Sequence, residues 1–524
     1  MDRKVVAWQT PAMKTERKNW TAKLSALGLQ PDDIERHATQ LRRALAGELK
    51  RTFPILDTCR TGSGAMLSLP ELAKNSAGQG YLGFILAAGA ASRYSQPLHL
   101  LSEALEANNK VAIESSLRAL ASEGALSWPL PERLATLIAK PESASSLSPA
   151  DLSNLKEAIQ LPKALMPCVK EGTTFLTLKH WEHAAIGSLS GEIYVAPSAR
   201  TADFLAEIAK AKESHFGAPE LKSLVLEQGP DLSTIRFHRD GSPVLDGEGN
   251  PSLVPAGHGA ITKLFPAARS IAPAADSLFI RNIDNIMGSG PEATEATRKF
   301  LSLHRQLLTA VRAIRDRLSL EQLDLAADEA RALMRQLLPS DRRLHDEALT
   351  SPISALKLLQ QRIFHSVVAD HPSTTELKNL YARPVNLMGQ VPNTGNDIGG
   401  TPCFIEAAPG QPALKVSLEL PHISAADRQA FLEDATIATH FNPGYCAVEI
   451  PTDPGYYTER NQDFWIMAEK TYRGEQVVYF ETVIYELVGN SSFANMVFVE
   501  VPRLVFNPHK ALKDAMNQSL ASWT

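Results

Sequence analysis

The amino-acid sequence predicts an α/β protein built on a mixed sheet with helices packed over it. Three observations carry that expectation. Short apolar runs at Tyr81–Leu86, Glu192–Ala196, Ser223–Gln228 and Ser277–Ile283 read as buried strands. Stretches with helical spacing alternate with them, which fits a mainly parallel or mixed sheet. The first run ends in a loop of small residues, the pattern of a strand that leads into a phosphate-type turn.

A chain of 524 residues is too long for one core, so two or three domains or large subdomains are expected. Residues 1–80 read as an N-terminal helical segment, Lys/Arg/Leu/Ala-rich over 12–50, with a turn at Thr61-Gly62-Ser63-Gly64. Residues 81–292 read as the α/β core, interrupted by a helical insertion over 98–160 that Pro129, Pro131 and Pro141 break. A second helical insertion spans 293–375, with apolar spacing through Phe300-Leu301-Ser302-Leu303 and beyond. Glycine, proline and β-formers return in 376–524, which predicts a C-terminal α+β lobe.

Composition bounds the partners. Apolar residues make up 44% and charged residues 21%, and the net charge is −5. That balance gives no reason to expect nucleic acid or an anionic membrane surface, and any phosphate site must be a local cluster of cations and amides. Cys59, Cys168, Cys403 and Cys446 form no CxxC pair, so neither a zinc site nor a disulfide framework is indicated. Met1-Asp2-Arg3-Lys4 opens without an apolar h-region, and no apolar run has the length of a membrane span. Together these predict a reducing, cytoplasmic setting.

Chemistry is concentrated in a few segments. In Leu86-Ala87-Ala88-Gly89-Ala90-Ala91-Ser92-Arg93, small residues let backbone N–H groups approach phosphate oxygens, and Arg93 adds a cation that can fork onto them. Taken alone, the same residues fit an ordinary strand-to-helix turn. Gln228 ends a strand and offers both donor and acceptor, which suits an imide edge. Gly257-His258-Gly259 follows a hairpin-like stretch and by itself reads as a turn. Asp284, in Phe279-Ile280-Arg281-Asn282-Ile283-Asp284-Asn285, lies at the C-terminal end of a predicted strand, where side chains face a ligand crevice. It suits Mg²⁺, which takes one or two carboxylates plus phosphate and water oxygens; an N-cap or Asx-turn aspartate is the plainer alternative.

The loop at 86–93 and Leu161-Pro162-Lys163-Ala164-Leu165-Met166-Pro167 together resemble the LAAGxGxR and PKxL signature of the sugar-1-phosphate nucleotidyltransferases. Here the two parts are separated by the stretch 98–160, and Ala91 stands where most of that superfamily has glycine. The likeness implies a nucleotidyltransferase fold of the GT-A-like, Rossmann-like kind. It implies that Ala88, Gly89, Ala90 and Ser92 cradle a nucleoside triphosphate and that Arg93 and Lys163 act on its phosphates. Leu226-Glu227-Gln228-Gly229 and Pro255-Ala256-Gly257-His258-Gly259 are similar to the segments that line the uracil pocket in UDP-sugar pyrophosphorylases. By that likeness Gln228, Gly257, His258 and Gly259 read the base, and Asp284 holds Mg²⁺.

Gly399-Gly400-Thr401-Pro402, Lys415-Val416-Ser417-Leu418-Glu419 and Phe498-Val499-Glu500-Val501-Pro502 resemble a mostly bacterial family of unknown function, which itself resembles UDP-sugar pyrophosphorylases. The resemblance spans most of residues 60–515. It implies a sugar-binding C-terminal lobe, with Gly399, Gly400 and Glu419 on hydroxyls and Lys415 on a phosphate. A glycine-rich turn and a solvated ion pair fit the same residues. No second metal carboxylate is evident, which leaves three possibilities open: Asp284 suffices, Glu486 or Glu500 assists, or activity is altered. The expected function is transfer of UMP from UTP to a sugar 1-phosphate with release of pyrophosphate. The rival is a non-catalytic nucleotide or sugar-nucleotide binder on the same scaffold. A dinucleotide-binding dehydrogenase fits less well, because the loop is not GxGxxG.

Overall fold

The computed structural model describes residues 52–62, 64–69, 80–89, 96–122, 161–168, 173–214, 221–288, 290–394, 400–434, 436–460, 464–472 and 475–508, with residues 22–26 and six single positions besides. The sequence expectations for Ala90, Ala91, Ser92, Arg93 and Gly399 lie outside the described residues, as does most of 1–51 and of 123–160.

A mixed sheet forms the centre. Its strands are β1 (Met66–Ser68), β2 (Tyr81–Leu86), β3 (Leu189–Pro197), β4 (Lys222–Gln228), β5 (Ser277–Asn282), β6 (Val385–Pro392), β7 (Tyr445–Glu449) and β8 (Asn495–Glu500). The spatial order is β1-β8-β6-β7-β5-β2-β3-β4, with His440–Phe441 added beside β6. All neighbours in that order are parallel except β7, which runs antiparallel to both β5 and β6.

β2 shows why the sequence makes a central strand. All six of its residues are buried, as a strand covered on both faces requires. Tyr81 and Ile85 pack toward the helices Phe175–Ile186 and Pro291–Ser319, whereas Leu82 and Phe84 pack toward the 3₁₀ segment His258–Ser270 and the helix Ile484–Val488. Gly83 leaves space for a histidine ring: a Cβ there would lie 2.6 Å from Cε1 of His183.

The covering helices carry recognisable start and stop signals. The helix Phe175–Ile186 begins at Thr174, whose Oγ1 accepts the Thr177 N–H at 3.1 Å, and ends at Gly187 with φ 70°. The helix Pro291–Ser319 starts with Pro at its first position and buries Phe300, Leu303, Leu307, Val311, Ile314 and Leu318, a stripe of helical period. It opens a helical layer that continues through Leu323–Leu337, Arg342–Ala348, Pro352–Arg362 and Thr374–Tyr381.

Two boundaries differ from the sequence expectation. The stretch 376–524 is not a lobe with a sheet wholly its own, because it supplies β6, β7 and β8 to the central sheet. Its strands Thr401–Glu406 and Ala413–Leu418 do form a second sheet, with Ile55–Thr58 as the third member. The segment 1–80 is not purely helical either: Ile55–Thr58 and β1 are edge strands of two sheets, each paired directly with a strand from the far end of the chain. Among the described residues no helix is long and apolar enough to cross a membrane.

Candidate functional site

The strand order creates a crevice. From β2 the chain moves outward to β3 and β4, then returns to place β5 on the other side of β2. β2 and β5 are adjacent and parallel, and the crevice at the C-terminal ends of such strands is where α/β sheets bind ligands. Gly89 follows β2 and Asp284 follows β5, so both stand at this switch point. A cavity of about 700 Å³ opens there.

Lys163 bridges the two loops. It begins a 3₁₀ turn, Lys163–Leu165, whose backbone N–H donates to the Gly89 carbonyl at 3.3 Å. Its Nζ lies 3.4 Å from Oδ2 of Asp284 and 5.3 Å from the centre of the Phe175 ring. The lysine side chain is 7% exposed, while that of Asp284 is 27% exposed and open to the cavity. Among the described residues, a Cβ on Gly89 would meet nothing within 4 Å.

The remaining walls come from distant parts of the chain. Gln228 ends β4, and Gly257 and His258 begin the 3₁₀ segment His258–Ser270. His258 faces the cavity solvent; crowding by the walls lowers its pKa, against the pull of Asp284 and Glu481. A hairpin of Trp465–Tyr472 and Glu475–Thr482 closes one side with Lys470, Tyr479, Glu481 and Thr482. Glu419 follows the strand Ala413–Leu418 on another wall, its N–H held by Oε1 of the buried Glu486 at 2.9 Å. Glu486 also pairs with His422 Nδ1 at 2.5 Å. Burial alone would lower the His422 pKa, but the carboxylate outweighs it and raises the value.

Of the residues singled out from sequence, Ala88, Gly89, Lys163, Gln228, Gly257, His258, Asp284 and Glu419 line this one cavity. Three described ones do not. Lys415 is 1% exposed, and among the described residues its amine approaches the carbonyls of Ala65 and Ile363, at 3.5 and 3.4 Å, and the Phe498 ring. Both faces of this strand are covered: Lys415, Val416, Ser417 and Leu418 are all buried, with Val416 and Leu418 in an apolar cluster on the face opposite Lys415. Gly400 packs against Asn442, whose Cβ and carbonyl oxygen would sit 3.0 Å from an added Cβ. Gly259 is buried against Thr482, which a Cβ would strike at 2.5 Å. The glycine at 257 is likewise demanded by Thr482: its φ is +85° and its missing Cβ faces the Thr482 carbonyl at 2.6 Å, not the cavity.

The hairpin residues were missed from sequence because nothing local marks a strand pair that folds back onto residues 254–258. The connection is main-chain: Thr482 N–H donates to the Ala256 carbonyl at 2.8 Å. Also missed was a buried charged group under the Asp284 turn. Lys179 Nζ contacts both oxygens of Glu182 at 3.1 Å and the Asn285 carbonyl at 2.6 Å, and Arg281 Nη1 lies 2.9 Å from Glu182.

The donors fit a magnesium ion of one kind only. Among the described residues there is no group of three or more metal-ligating side chains, so no all-protein cage is present. Asp284 offers one carboxylate to an open cavity, which suits an ion that completes its shell with phosphate oxygens and water.

Fold and site thus define a mixed α/β protein with a polar ligand cavity at the switch point of its sheet. The chain belongs to the family described as a domain of unknown function (DUF4301), which it matches over residues 199–520. Among solved structures it is similar to a mutant UDP-glucose pyrophosphorylase from Leishmania major in complex with UDP-glucose, at 13% identity and a TM-score of 0.47, over 94% of this chain and 77% of that one. It is also similar to a UDP-glucose phosphorylase from Trypanosoma brucei, at 13% identity and a TM-score of 0.47, over 95% of this chain and 77% of that one. No curated protein matches in sequence.

Proposed function

We propose that the protein is a nucleotidyltransferase that moves UMP from UTP to a sugar 1-phosphate and releases pyrophosphate. The observation that carries this reading is the meeting of Gly89, Lys163 and Asp284 at the mouth of one cavity. In the reaction an ionised oxygen of the sugar 1-phosphate attacks the α-phosphorus of UTP. The bond from that phosphorus to the bridging oxygen breaks, and its electron pair leaves with pyrophosphate. No proton has to be removed from the attacking oxygen near neutral pH, so the protein's work is alignment and charge stabilisation.

Lys163 is placed to neutralise charge that builds on the phosphates, in a wall where water is largely excluded. Gln228 can donate to and accept from the imide edge of uracil. Glu419 can accept from sugar hydroxyls. Asp284 would hold Mg²⁺, which supplies charge neutralisation and orients phosphate oxygens.

The Lys163–Asp284 ion pair also favours a second reading, a nucleotide or sugar-nucleotide binder without turnover, because a lysine already occupies the carboxylate that would hold the ion. Thermal-shift titration with Mg²⁺ and each nucleoside triphosphate tests the ligand, since ligand binding to the native state raises its stability. UTP is expected to raise the Tm most; equal shifts for ATP, GTP, CTP and UTP would remove the uridine assignment. Pyrophosphate release from UTP and a panel of sugar 1-phosphates tests the chemistry. Lys163→Met keeps the apolar stem and is expected to cost roughly 2–4 kcal/mol of transition-state stabilisation. UTP binding without pyrophosphate release from any acceptor would establish the second reading instead.

A further inference from the structure

We propose that the buried triad Lys179–Glu182–Arg281 is the positioning element of the Asp284 turn, fixing its backbone from below so that the carboxylate is presented to the cavity. The inference rests on the reading of Asp284 as the ion-holding residue.

The turn is gripped at two main-chain points. Lys179 Nζ and Arg281 Nη2 both donate to the Asn285 carbonyl, at 2.6 and 2.7 Å. Glu182 Oε2 accepts the Met287 N–H at 2.9 Å. Lys179 and Glu182 stand one turn apart on the helix Phe175–Ile186, both fully buried, and Arg281 comes from β5 itself with 1% exposure. The Asn285 side chain donates to the Pro443 carbonyl, so the same residue is tied to a third segment. The backbone that follows Asp284 is thus held, while its own carboxylate lies beside Lys163.

Charge explains why ions occupy this place. Lys179 and Arg281 face one carboxylate inside the triad; burial, with Arg281 beside it, pulls the Lys179 pKa down to about 7 while Glu182 pulls the other way. Apolar packing would hold a helix against a strand at least as well, because burying ions costs about what their attraction returns. A triad at this spot contributes geometry: charge-assisted bonds of fixed direction to a carbonyl and an amide just C-terminal to the working residue.

The test compares wild type with Lys179→Met by two measurements. Hydrogen exchange read by mass spectrometry is expected to show the amides of 283–288 at least about tenfold less protected in the variant, with β5 unchanged. Mn²⁺ titration followed by electron paramagnetic resonance, with UTP present, is expected to show a midpoint about 10–100-fold weaker, as loss of a supporting contact behind a metal ligand produces. A folded variant with unchanged protection across 283–288 overturns the proposal. If Lys179→Met does not fold, Glu182→Gln is measured in its place; it keeps an oxygen for the Met287 N–H, so retained protection and midpoint overturn the role of the charges. Absence of UTP-dependent Mn²⁺ binding in wild type would sink the nucleotidyltransferase reading, and the exchange result alone then decides whether the triad positions the turn.

Discussion

Two lysines that look alike in sequence meet opposite fates. Lys163 has Asp284 beside its ammonium group and a cavity in front of it. Lys415 is sealed behind its strand, where burial pulls its pKa from 10.5 down to about 7, with Cys59 acting weakly the other way. A lysine whose folded pKa lies below its unfolded value binds fewer protons when folded, so it destabilises the native state. That cost is full below about pH 7 and fades as pH rises toward 10.5, where the unfolded chain also loses the proton. Lys415→Met is therefore expected to stabilise the protein at neutral pH by about 1–4 kcal/mol, with the advantage shrinking on the alkaline side. Urea denaturation at several pH values reads this directly; a destabilised variant at pH 7 would mean that the contacts to Ala65 and Ile363 outweigh desolvation. The residue type and the strand are legible in the sequence, but that both faces of this strand are covered depends on segments that lie far away in the chain.

At the level of elements, the cavity depends on a hairpin that no local signal announced. Its seat is made by Gly257, Gly259 and the Thr482–Ala256 pairing. Gly257→Ala adds a Cβ at φ +85° against the Thr482 carbonyl, and such strain costs roughly 1–3 kcal/mol. The expected outcome is a folded protein whose hairpin amides, 465–482, exchange faster while β2 keeps its protection. Uniform loss of protection would show that the hairpin is part of the global folding unit. The strands β2 to β5 were legible because each is a short apolar run, and Gly89, Gln228 and Asp284 were legible because they lie at or just past the ends of such runs. Lys179 and Glu182 were not legible. Charged residues on a helix read as solvated from sequence, and only the packing of that helix under the sheet turns them inward.

Across the whole molecule, the long helix Pro291–Ser319 is fastened to the sheet by ions as well as by its apolar stripe. Arg305 and Arg312 bind Asp276, which enters β5, while Arg312 and Arg315 bind Glu449, which ends β7. Burial alone would raise the Asp276 pKa, but the two guanidinium groups outweigh it and hold the value at about 2, below the ordinary 3.8. Its contribution is therefore present above about pH 4 and is lost as pH falls through about 2. Asp276→Asn is expected to lower the Tm at pH 7 and to flatten the fall in Tm between pH 4 and 2. Parallel curves for the two proteins would assign acid sensitivity to other carboxylates.

The antiparallel strand β7 has a consequence for how the chain is made. As the polypeptide leaves the ribosome, β2, β3, β4 and β5 can assemble, yet β5 keeps one row of amides and carbonyls open until Tyr445–Glu449 arrives to pair with it. Through all of that interval the helical layer is being synthesised and can cover one face of the sheet, but not its edge. An apolar strand with an open edge invites pairing with another nascent chain. The window of greatest danger for a growing copy of this protein thus opens when Asn282 emerges and closes only with Glu449.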